Sequence, residues 1–550
     1  LRALSNLAPS EQLTVPWLPP TAPWWAPRVP WKTQQPPRKL LVFSRFRAVP
    51  QAIAATLSYD LEARALAKAG LPYTEVSRRR LLSATEKRHP LLGLFHPSPF
   101  LVTSTDPLAA GTDDFPAIRR HVRRQLKDAI RRLGIAIRNE GPALPPWRLI
   151  ARLDHVAGKW DRISDAWWWA RNEIATGETD DTGLGNLLGD WDTEAEQPLE
   201  VIRPAGFESL VDYALGSPGV VIGRALLRHF SGADVAEQVQ NWEEAFPDIL
   251  AASWMGLRNY LDQRWFYQLL SKGSESYPDA ILRAVTDGNL ESALDEHLWI
   301  TGKLRNLQDE ELAQELREGL TIKSGMFFLH PVDGQRDATF SLRCHVALPF
   351  IQTQVRSLED GEKPFRTDDM RRAFNTPFWP YVLATTSVGQ EGLDFHAWCD
   401  TLVHWDLCRN PVDLEQREGR IQRFGGLSIR RAIAAKLASE AISTRSSAQS
   451  PWARIAELAD QRLSDESGLA PWWVCESGTV NRYVFDVPTS EQKHWLHWMK
   501  EQRLLYRLAL GQPNQEDLVE ILSNKSGLEP HAIREAVVNL SPWFRPKGSG

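Results

Sequence analysis

Three polar side chains, Gln416, Arg420 and Arg423, follow one another at spacings of four and three residues. In a helix these spacings place all three on one face. Because a guanidinium group stays charged at physiological pH and donates hydrogen bonds in a plane, paired arginines can stabilise the charge on a phosphoryl group during its transfer. Arginines at this spacing are also common on solvated helix faces. The spacing alone leaves both interpretations open.

Two apolar runs before these residues predict buried strands that would position them. The first covers residues 381–384 and the second covers 401–405, and a polar loop follows each run. Continuous apolar runs of this length are typical of parallel strands that are buried on both faces. The second run ends at Asp406, and Asn410-Pro411 then marks a turn before the predicted helix. This order predicts one edge of a phosphate-binding site in an α/β protein.

The two loops resemble motifs V and VI of superfamily 2 helicases. The residues similar to motif V are Thr385, Thr386, Ser387, Gly389, Gly392 and Asp394. The residues that match motif VI, at every fixed position of QxxGRxxR, are Gln416, Gly419, Arg420 and Arg423. The sequence around these motifs is most similar to the Swi/Snf-like branch of DNA translocases and its bacterial relatives. Upstream, a predicted buried strand at 39–44 is followed by Arg45-Phe46 and a predicted helix, and this order resembles motif IV.

The resemblance implies an α/β fold, the second RecA-like domain of a helicase, with a parallel sheet flanked by helices. It also implies that Arg420 and Arg423 are arginine fingers for the γ-phosphate of ATP, with Gln416 positioning them or the nucleotide. The implied nucleotide-binding residues are Gly392, Asp394 and Gly419. The implied nucleic-acid-binding residues are Ser44, Arg45, Thr385, Thr386 and Gly389.

The 550 residues contain no GxxxxGK[ST] loop that could cradle the β- and γ-phosphates. Residues 294–297 imitate a DExH box, but the apolar spacing around them predicts a helix and not the end of a strand. We therefore expect the first RecA-like domain, which would bind most of the ATP and its Mg²⁺, to lie upstream of Leu1 or in another subunit. We expect this chain alone to be inactive as an ATPase.

Composition is that of an ordinary globular protein, with 43% hydrophobic and 24% charged residues. Because the net charge is −5, nucleic-acid binding would need local clusters of basic residues. The four cysteines form no CxxC pair, so the sequence predicts no disulfide framework and no metal site. No apolar run approaches the roughly 20 residues of a spanning helix. We expect a cytoplasmic protein without a membrane partner.

The chain divides into four predicted regions. Residues 1–37 are rich in Pro and Trp and predict an extended linker along the surface. Residues 38–59 and 336–438 predict the RecA-like domain, interrupted at 60–335 by a mainly helical insertion that must be folded because it is too long for a loop. Residues 439–550 predict a helical C-terminal extension, in which Trp495, Trp498 and Leu505 are among the expected core residues.

Two charged stretches in the insertion are candidate binding surfaces. A basic helix face predicts contacts with the phosphate backbone, although a solvated charged face has the same pattern. Its candidate nucleic-acid-binding residues are Arg120, Arg123, Arg124 and Lys127. Residues 177–197 are acidic and predict a mobile solvated loop; a cation site there is less favoured because nothing fixes an oxygen cage.

These features predict the C-terminal half of an ATP-dependent DNA helicase or translocase. The expected partners are double-stranded DNA, the other RecA-like domain and a nuclease or other protein of a bacterial defence system. An alternative from another class is a non-catalytic RecA-like scaffold on which the helical insertion docks a partner enzyme. ATP hydrolysis that depends on Arg423 distinguishes the two.

Overall fold

A computed structural model of the chain describes residues 15–32, 37–68, 70, 89–175, 181–261, 267, 270, 272–320, 325–329, 340–350, 367–386, 393–408, 410–446, 449–485, 491–509, 513–524 and 531–532. Within these residues, five parallel strands form a central sheet in the order β6-β7-β1-β8-β9. Two short pairs, β2-β3 and the antiparallel β4-β5, lie outside it. The strands are β1 (Leu40–Ser44), β2 (Ala136–Ile137), β3 (Val201–Ile202), β4 (Gly325–Leu329), β5 (Phe340–Cys344), β6 (Ala347–Phe350), β7 (Val382–Thr386), β8 (Thr401–His404) and β9 (Asn481–Val484).

Helices cover both faces of the sheet and form most of the insertion, which agrees with the predicted α/β, RecA-like fold. Before the sheet resumes at β6 they are α1 (Ala48–Lys68), α2 (His89–Phe95), α3 (Pro99–Ser104), α4 (Phe115–Arg132), α5 (Pro146–Val156), α6 (Trp160–Ala175), α7 (Asp181–Ala195), α8 (Pro204–Gly216), α9 (Pro218–Leu227), α10 (Val235–Glu244), α11 (Phe246–Ala251), α12 (Arg258–Leu261), α13 (Tyr277–Asp287), α14 (Leu290–Arg305) and α15 (Asp309–Leu320). After β6 they are α16 (Thr367–Phe374), α17 (Pro411–Gly419), α18 (Leu427–Thr444), α19 (Pro451–Arg462), α20 (Gln492–Leu508) and α21 (Gln515–Asn524). A 3₁₀ turn, Pro107–Ala110, and a π-helical turn, Ala252–Leu257, complete the helical elements.

Strands β1, β6, β7 and β8 are buried on both faces, which explains why the sequence shows them as mainly apolar runs. On one face, Leu40 and Val42 join a hydrophobic cluster that continues through the insertion. On the other face, Leu41 and Phe43 join a smaller cluster with Phe350 and other residues of the RecA-like domain. The insertion therefore shares a core with the sheet.

The Pro/Trp-rich N-terminal segment differs from the predicted surface linker. Residues 15–32 contain no helix or regular strand, as expected, but Trp17, Trp24 and Trp31 are among the largest fully or almost fully buried side chains. Trp17 Nε1 donates to Gly288 O at 2.9 Å, and Tyr381 Oη donates to Val15 O at 2.6 Å. An indole is large enough to join the core without regular secondary structure, so this segment connects the insertion to β7.

Part of the predicted acidic loop is a helix. Residues 181–195 form α7, whose Leu187, Leu188, Trp191 and Ala195 are buried at helical spacing. The acidic residues on its other face have partners: Arg152 pairs with Glu194, and Trp160 Nε1 donates to Asp192. The prediction for residues 181–195 was wrong because it relied on the acidic composition and not on the helical spacing of the apolar residues. Residues 176–180 lie outside the described residues.

The predicted helical C-terminal extension also contributes a strand. β9 pairs in parallel with β8, with Thr401 opposite Asn481, and forms an edge of the sheet. Its sequence, NRYV, is half-buried and polar, as is common at a sheet edge, so no apolar run marks it. Leu505 is buried as predicted, but Trp495 is 37% exposed.

Among the described residues, no single helix combines the length and hydropathy needed to cross a membrane. The bent pair formed by Pro204–Gly216 and Pro218–Leu227 meets the criterion only when its two helices are taken together.

Candidate nucleotide and nucleic-acid site

The carboxyl ends of β7, β1 and β8 meet at one edge of the sheet, where α/β proteins bind ligands. Ser44 is opposite Thr386 in the sheet register. Asp406, two residues after β8, accepts a hydrogen bond from Ser44 Oγ at 2.8 Å and one from the Arg45 backbone N–H at 3.0 Å. Arg45 Nε also donates to Asp406 Oδ1 at 2.9 Å. The sequence analysis noted Asp406 only as the end of a predicted strand. In the structure its carboxylate accepts hydrogen bonds from both predicted motif IV residues, Ser44 and Arg45.

The motif V threonines are the last two residues of β7. Thr385 is buried, and its hydroxyl donates to Phe350 O at 3.1 Å on the neighbouring strand. Thr386 is also buried. Gly389 and Gly392 lie outside the described residues, so their predicted roles stay predictions.

The motif VI arginines do not lie on a helix, which corrects the predicted helical face. α17 ends at Gly419, and Arg420 is its C-cap residue. Asn410 caps the other end, where its Oδ1 accepts from Val412 N at 2.8 Å. The chain then turns, and Gly425 takes a left-handed conformation at φ 61°. Gln416 lies on α17 and Arg423 lies beyond its end, so the two share no helical face.

The turn after α17 is hydrogen-bonded to residues 393–395, which include Asp394, the last of the motif V residues. Arg420 Nη1 donates to Leu393 O at 3.2 Å, and Phe395 N donates to Arg420 O at 2.9 Å. Arg423 Nε donates to Asp394 Oδ1 at 2.9 Å, and these two side chains are 45% and 44% exposed. Residues 393–395 and 420–423 therefore form one unit.

Arg417, which the sequence analysis did not select, packs against β1 and the end of β8. It is buried on α17, and its Nη1 donates to Asp406 O at 3.3 Å. The same atom lies 3.3 Å from His404 Nδ1, and the guanidinium lies over the Phe43 ring at 5.1 Å from the ring centroid. Burial, then the nearby Arg417 charge, lowers the pKa of His404 to about 3, so its imidazole is neutral and can accept from Arg417. The only feature of the sequence that could have drawn attention to Arg417 is that it is a third arginine in the stretch 417–423.

The predicted basic face of the insertion lies on α4, and acidic residues lie beside part of it. Arg123 Nε donates to Glu208 Oε1 on α8 at 2.6 Å, and Arg120 lies 3.8 Å from Asp114. Arg124 Nη2 lies 3.5 Å from His121 Nδ1, and Lys127 is half-buried. The solvated-face interpretation explains these pairs, and phosphate binding by this face stays a prediction.

The DExH-like residues lie inside α14, as their apolar spacing predicted. Asp295 pairs with Arg228 at 3.0 Å, and Glu296 pairs with Arg430 at 2.8 Å. These carboxylates are buried in ion pairs and contribute to packing. Among the described residues, no group of three or more His, Cys, Asp and Glu side chains is placed to hold a metal ion.

Comparison with known proteins assigns one part of the chain to a family. Residues 351–425 match the helicase conserved C-terminal domain. Searches of curated proteins and of solved structures gave no match. The matched residues include β7 and β8, which belong to the RecA-like parallel sheet. They also include α17 and both motif VI arginines. The chain therefore contains a C-terminal domain of the kind found in helicases, which indicates a helicase or ATPase type of enzyme.

Proposed function

We propose that this chain supplies the second RecA-like lobe of an ATP-dependent DNA translocase, with similarity to the Swi/Snf-like branch. The observation that carries the proposal is the unit formed by residues 393–395 and 420–423, because it joins the motif V and motif VI segments through hydrogen bonds. In motors of this kind, such a connection lets nucleotide state and nucleic-acid contact change together.

The described residues fit one side of an ATP site. Arg423 is about half exposed while its Nε holds Asp394, so its guanidinium can face solvent and a ligand. Asp394 is equally exposed and offers a carboxylate for a ribose hydroxyl. MgATP would supply the phosphoryl group and the hydrolysable bond. The phosphate loop and the Mg²⁺-binding acid would come from a separate RecA-like domain, because these 550 residues contain no GxxxxGK[ST].

At the carboxyl end of β1 and β7, the Arg45 side chain, which is 36% exposed, would face the DNA backbone, and the buried Ser44 and Thr386 would support it. An arginine in this position suits phosphate oxygens and reads no base edges. We therefore expect binding that is independent of base sequence and weakens with salt.

The test is DNA-stimulated ATP hydrolysis by the assembly that contains both RecA-like lobes. Arg423→Ala should lower kcat by about 10³-fold or more, as for other arginine fingers, while the Kd for ATP changes little. Arg462→Ala is the matched control, because Arg462 is an exposed arginine paired with Glu440 on α18. Full activity of the Arg423→Ala assembly, or strong hydrolysis by the 550-residue chain alone, would contradict the proposed site.

A second candidate is a non-catalytic scaffold in which the insertion docks a partner enzyme. The favouring observation is that the insertion shares a hydrophobic cluster with the sheet, so the two parts are packed on a common core. Absence of DNA-stimulated hydrolysis in the assembly, with the partner still bound, would favour this candidate.

A further inference from the structure

The chain leaves β1 through a short turn that exposes one aromatic ring between two arginines. The turn is Arg45-Phe46-Arg47, and α1 begins at the next residue. Phe46 is 58% exposed, more than any other Phe, Tyr or Trp side chain that the structure describes. Single apolar side chains are common on protein surfaces, so exposure alone assigns no role to this ring. Its role is indicated by its neighbours and by its place at the carboxyl end of β1, where α/β proteins bind ligands.

Hydrogen bonds fix the backbone that presents Phe46. Ser44 Oγ accepts from Phe46 N at 3.1 Å and itself donates to Asp406 Oδ2 at 2.8 Å. On the other side, Val49 N in the first turn of α1 donates to Phe46 O at 3.2 Å. Because the backbone is held on both sides, it has little conformational freedom to lose when a ligand covers the ring.

The turn presents positive charge on both sides of the ring. The Arg45 guanidinium lies 5.6 Å from the centre of the Phe46 ring. Asp406 holds Arg45 through Nε at 2.9 Å, but its carboxylate is only 7% exposed and therefore contributes little negative charge to the surface. Arg47 is exposed, and within the part of the chain that the structure describes it forms no ion pair. The surface of the turn therefore suits an anion that also has an apolar face.

An unpaired nucleotide has both of these properties. Its phosphate oxygens accept hydrogen bonds from guanidinium groups, and the flat face of any base can stack on an aromatic ring. A base inside an intact duplex is covered on both faces by its neighbours, so Phe46 can reach only a base that has left the stack.

We propose that Phe46 stacks on an unpaired base of the bound DNA while Arg45 and Arg47 contact neighbouring phosphates. This inference rests on the proposed function, because it requires that DNA lies at the carboxyl end of β1. It adds the class of substrate, which is DNA with an unpaired nucleotide at this turn, as in a single strand, a gap or a fork. Because stacking tolerates every base, binding stays independent of sequence.

The test is fluorescence anisotropy of the 550-residue chain with three labelled DNAs. They are a single strand, a strand with the same number of phosphates in which the bases are replaced by abasic sites, and an intact duplex. We expect the single strand to bind about tenfold tighter than the abasic strand, because only the first offers a base for stacking. Equal affinity for these two strands would overturn the stacking contact.

Two variants of Phe46 locate the contact. Phe46→Ala removes the ring and should abolish the tenfold difference between the two strands, whereas Phe46→Trp keeps a stacking face and should retain it. Tyr59→Ala is the matched control, because Tyr59 is 44% exposed on α1 and its loss should leave the difference as in the wild type. Circular dichroism checks the fold of each variant. A folded Phe46→Ala chain that still prefers the strand with bases would show that another ring stacks on DNA and would refute the assignment.

Arg47→Gln tests the phosphate contact. For the single strand, the slope of log K against log salt should become smaller by about 0.7, the value for one phosphate contact. An unchanged slope would overturn the role given to Arg47.

The intact duplex separates this inference from the proposed function. Duplex binding that weakens in Arg45→Gln, together with equal binding of the two strands, would refute the stacking contact and leave the proposed DNA edge in place. A chain that binds none of the three DNAs would refute both.

Discussion

Arg430 and Glu296 form a fully buried ion pair, with Nε 2.8 Å from Oε1 and both side chains 0% exposed. Glu296 lies on α14 of the insertion, and Arg430 lies on α18, just after the motif VI turn. Arg430 also donates to Gly425 O at 2.8 Å and to Ala397 O at 2.6 Å. This single guanidinium therefore connects the insertion to the turn that presents Arg423 and to the segment after Asp394.

Arg430→Met should destabilise the chain by about 3–5 kcal/mol, because it leaves the Glu296 carboxylate buried without its cation. The double variant Arg430→Met/Glu296→Leu should recover part of this loss, since it removes the unpaired carboxylate but leaves Thr21 N, Gly425 O and Ala397 O without these partners. Urea unfolding measures both free energies. A double variant as unstable as Arg430→Met would show that the backbone contacts of Arg430, and not the ion pair, hold this position.

Gly219 tests the close packing inside the insertion. A Cβ atom at this position of α9 would lie 2.5 Å from the backbone carbonyl group of His96, so Gly219→Ala should destabilise the fold by about 1–3 kcal/mol. Gly189→Ala is the matched control, because a Cβ there meets no atom within 4 Å in α7. It should stabilise the helix by up to about 1 kcal/mol. Thermal unfolding compares the two, and equal shifts would contradict the packing argument.

The strands of the site could be predicted from the sequence because each is buried on both faces. The runs 39–44, 381–384 and 401–405 correspond to β1, β7 and β8 within two residues at each end. The motif VI residues could be selected from the sequence because their spacing is local; their role at a phosphate stays a prediction.

What the sequence could not show depends on contacts between distant residues. The Glu296–Arg430 pair joins positions that are 134 residues apart, and neither residue carries a local signal of its partner. β9 is half-buried and polar, so only its pairing with β8 marks it as a strand. The end of α17 at Gly419 separates Arg423 from Gln416, although their spacing fits a continuous helix.

His404 predicts a specific loss of stability in acid. Its pKa is lowered to about 3 by burial and then by Arg417 and Arg482, whereas an unfolded histidine titrates near 6.5. The unfolded state therefore binds one more proton between these values. The stability associated with the neutral ring is fully present above about pH 6.5 and is lost as pH falls towards 3.

His404→Gln should remove this dependence while still accepting a hydrogen bond from Arg417. Between about pH 6 and 4, the unfolding free energy of the wild type should fall by about 1.4 kcal/mol per pH unit more than that of the variant. Urea unfolding at several pH values measures the difference. His497→Gln, at an exposed position on α20, should follow the wild type. Parallel curves for wild type and His404→Gln would mean that His404 does not titrate differently in the folded state.

Arg45→Gln tests whether the sheet edge contacts DNA. Arg45 is held by Asp406 at the end of β1, but its side chain is 36% exposed and can reach a phosphate. The variant should weaken double-stranded DNA binding equally for unrelated sequences, and the slope of log K against log salt should become smaller by about 0.9, the value for one phosphate contact. Fluorescence anisotropy over a range of salt concentrations measures both quantities. Arg64→Gln removes the same charge from an exposed pair with Asp60 on α1, so it isolates the effect of net charge. If both variants change the slope alike, the effect is one of total charge, and Ser44 and Arg45 do not form the DNA contact.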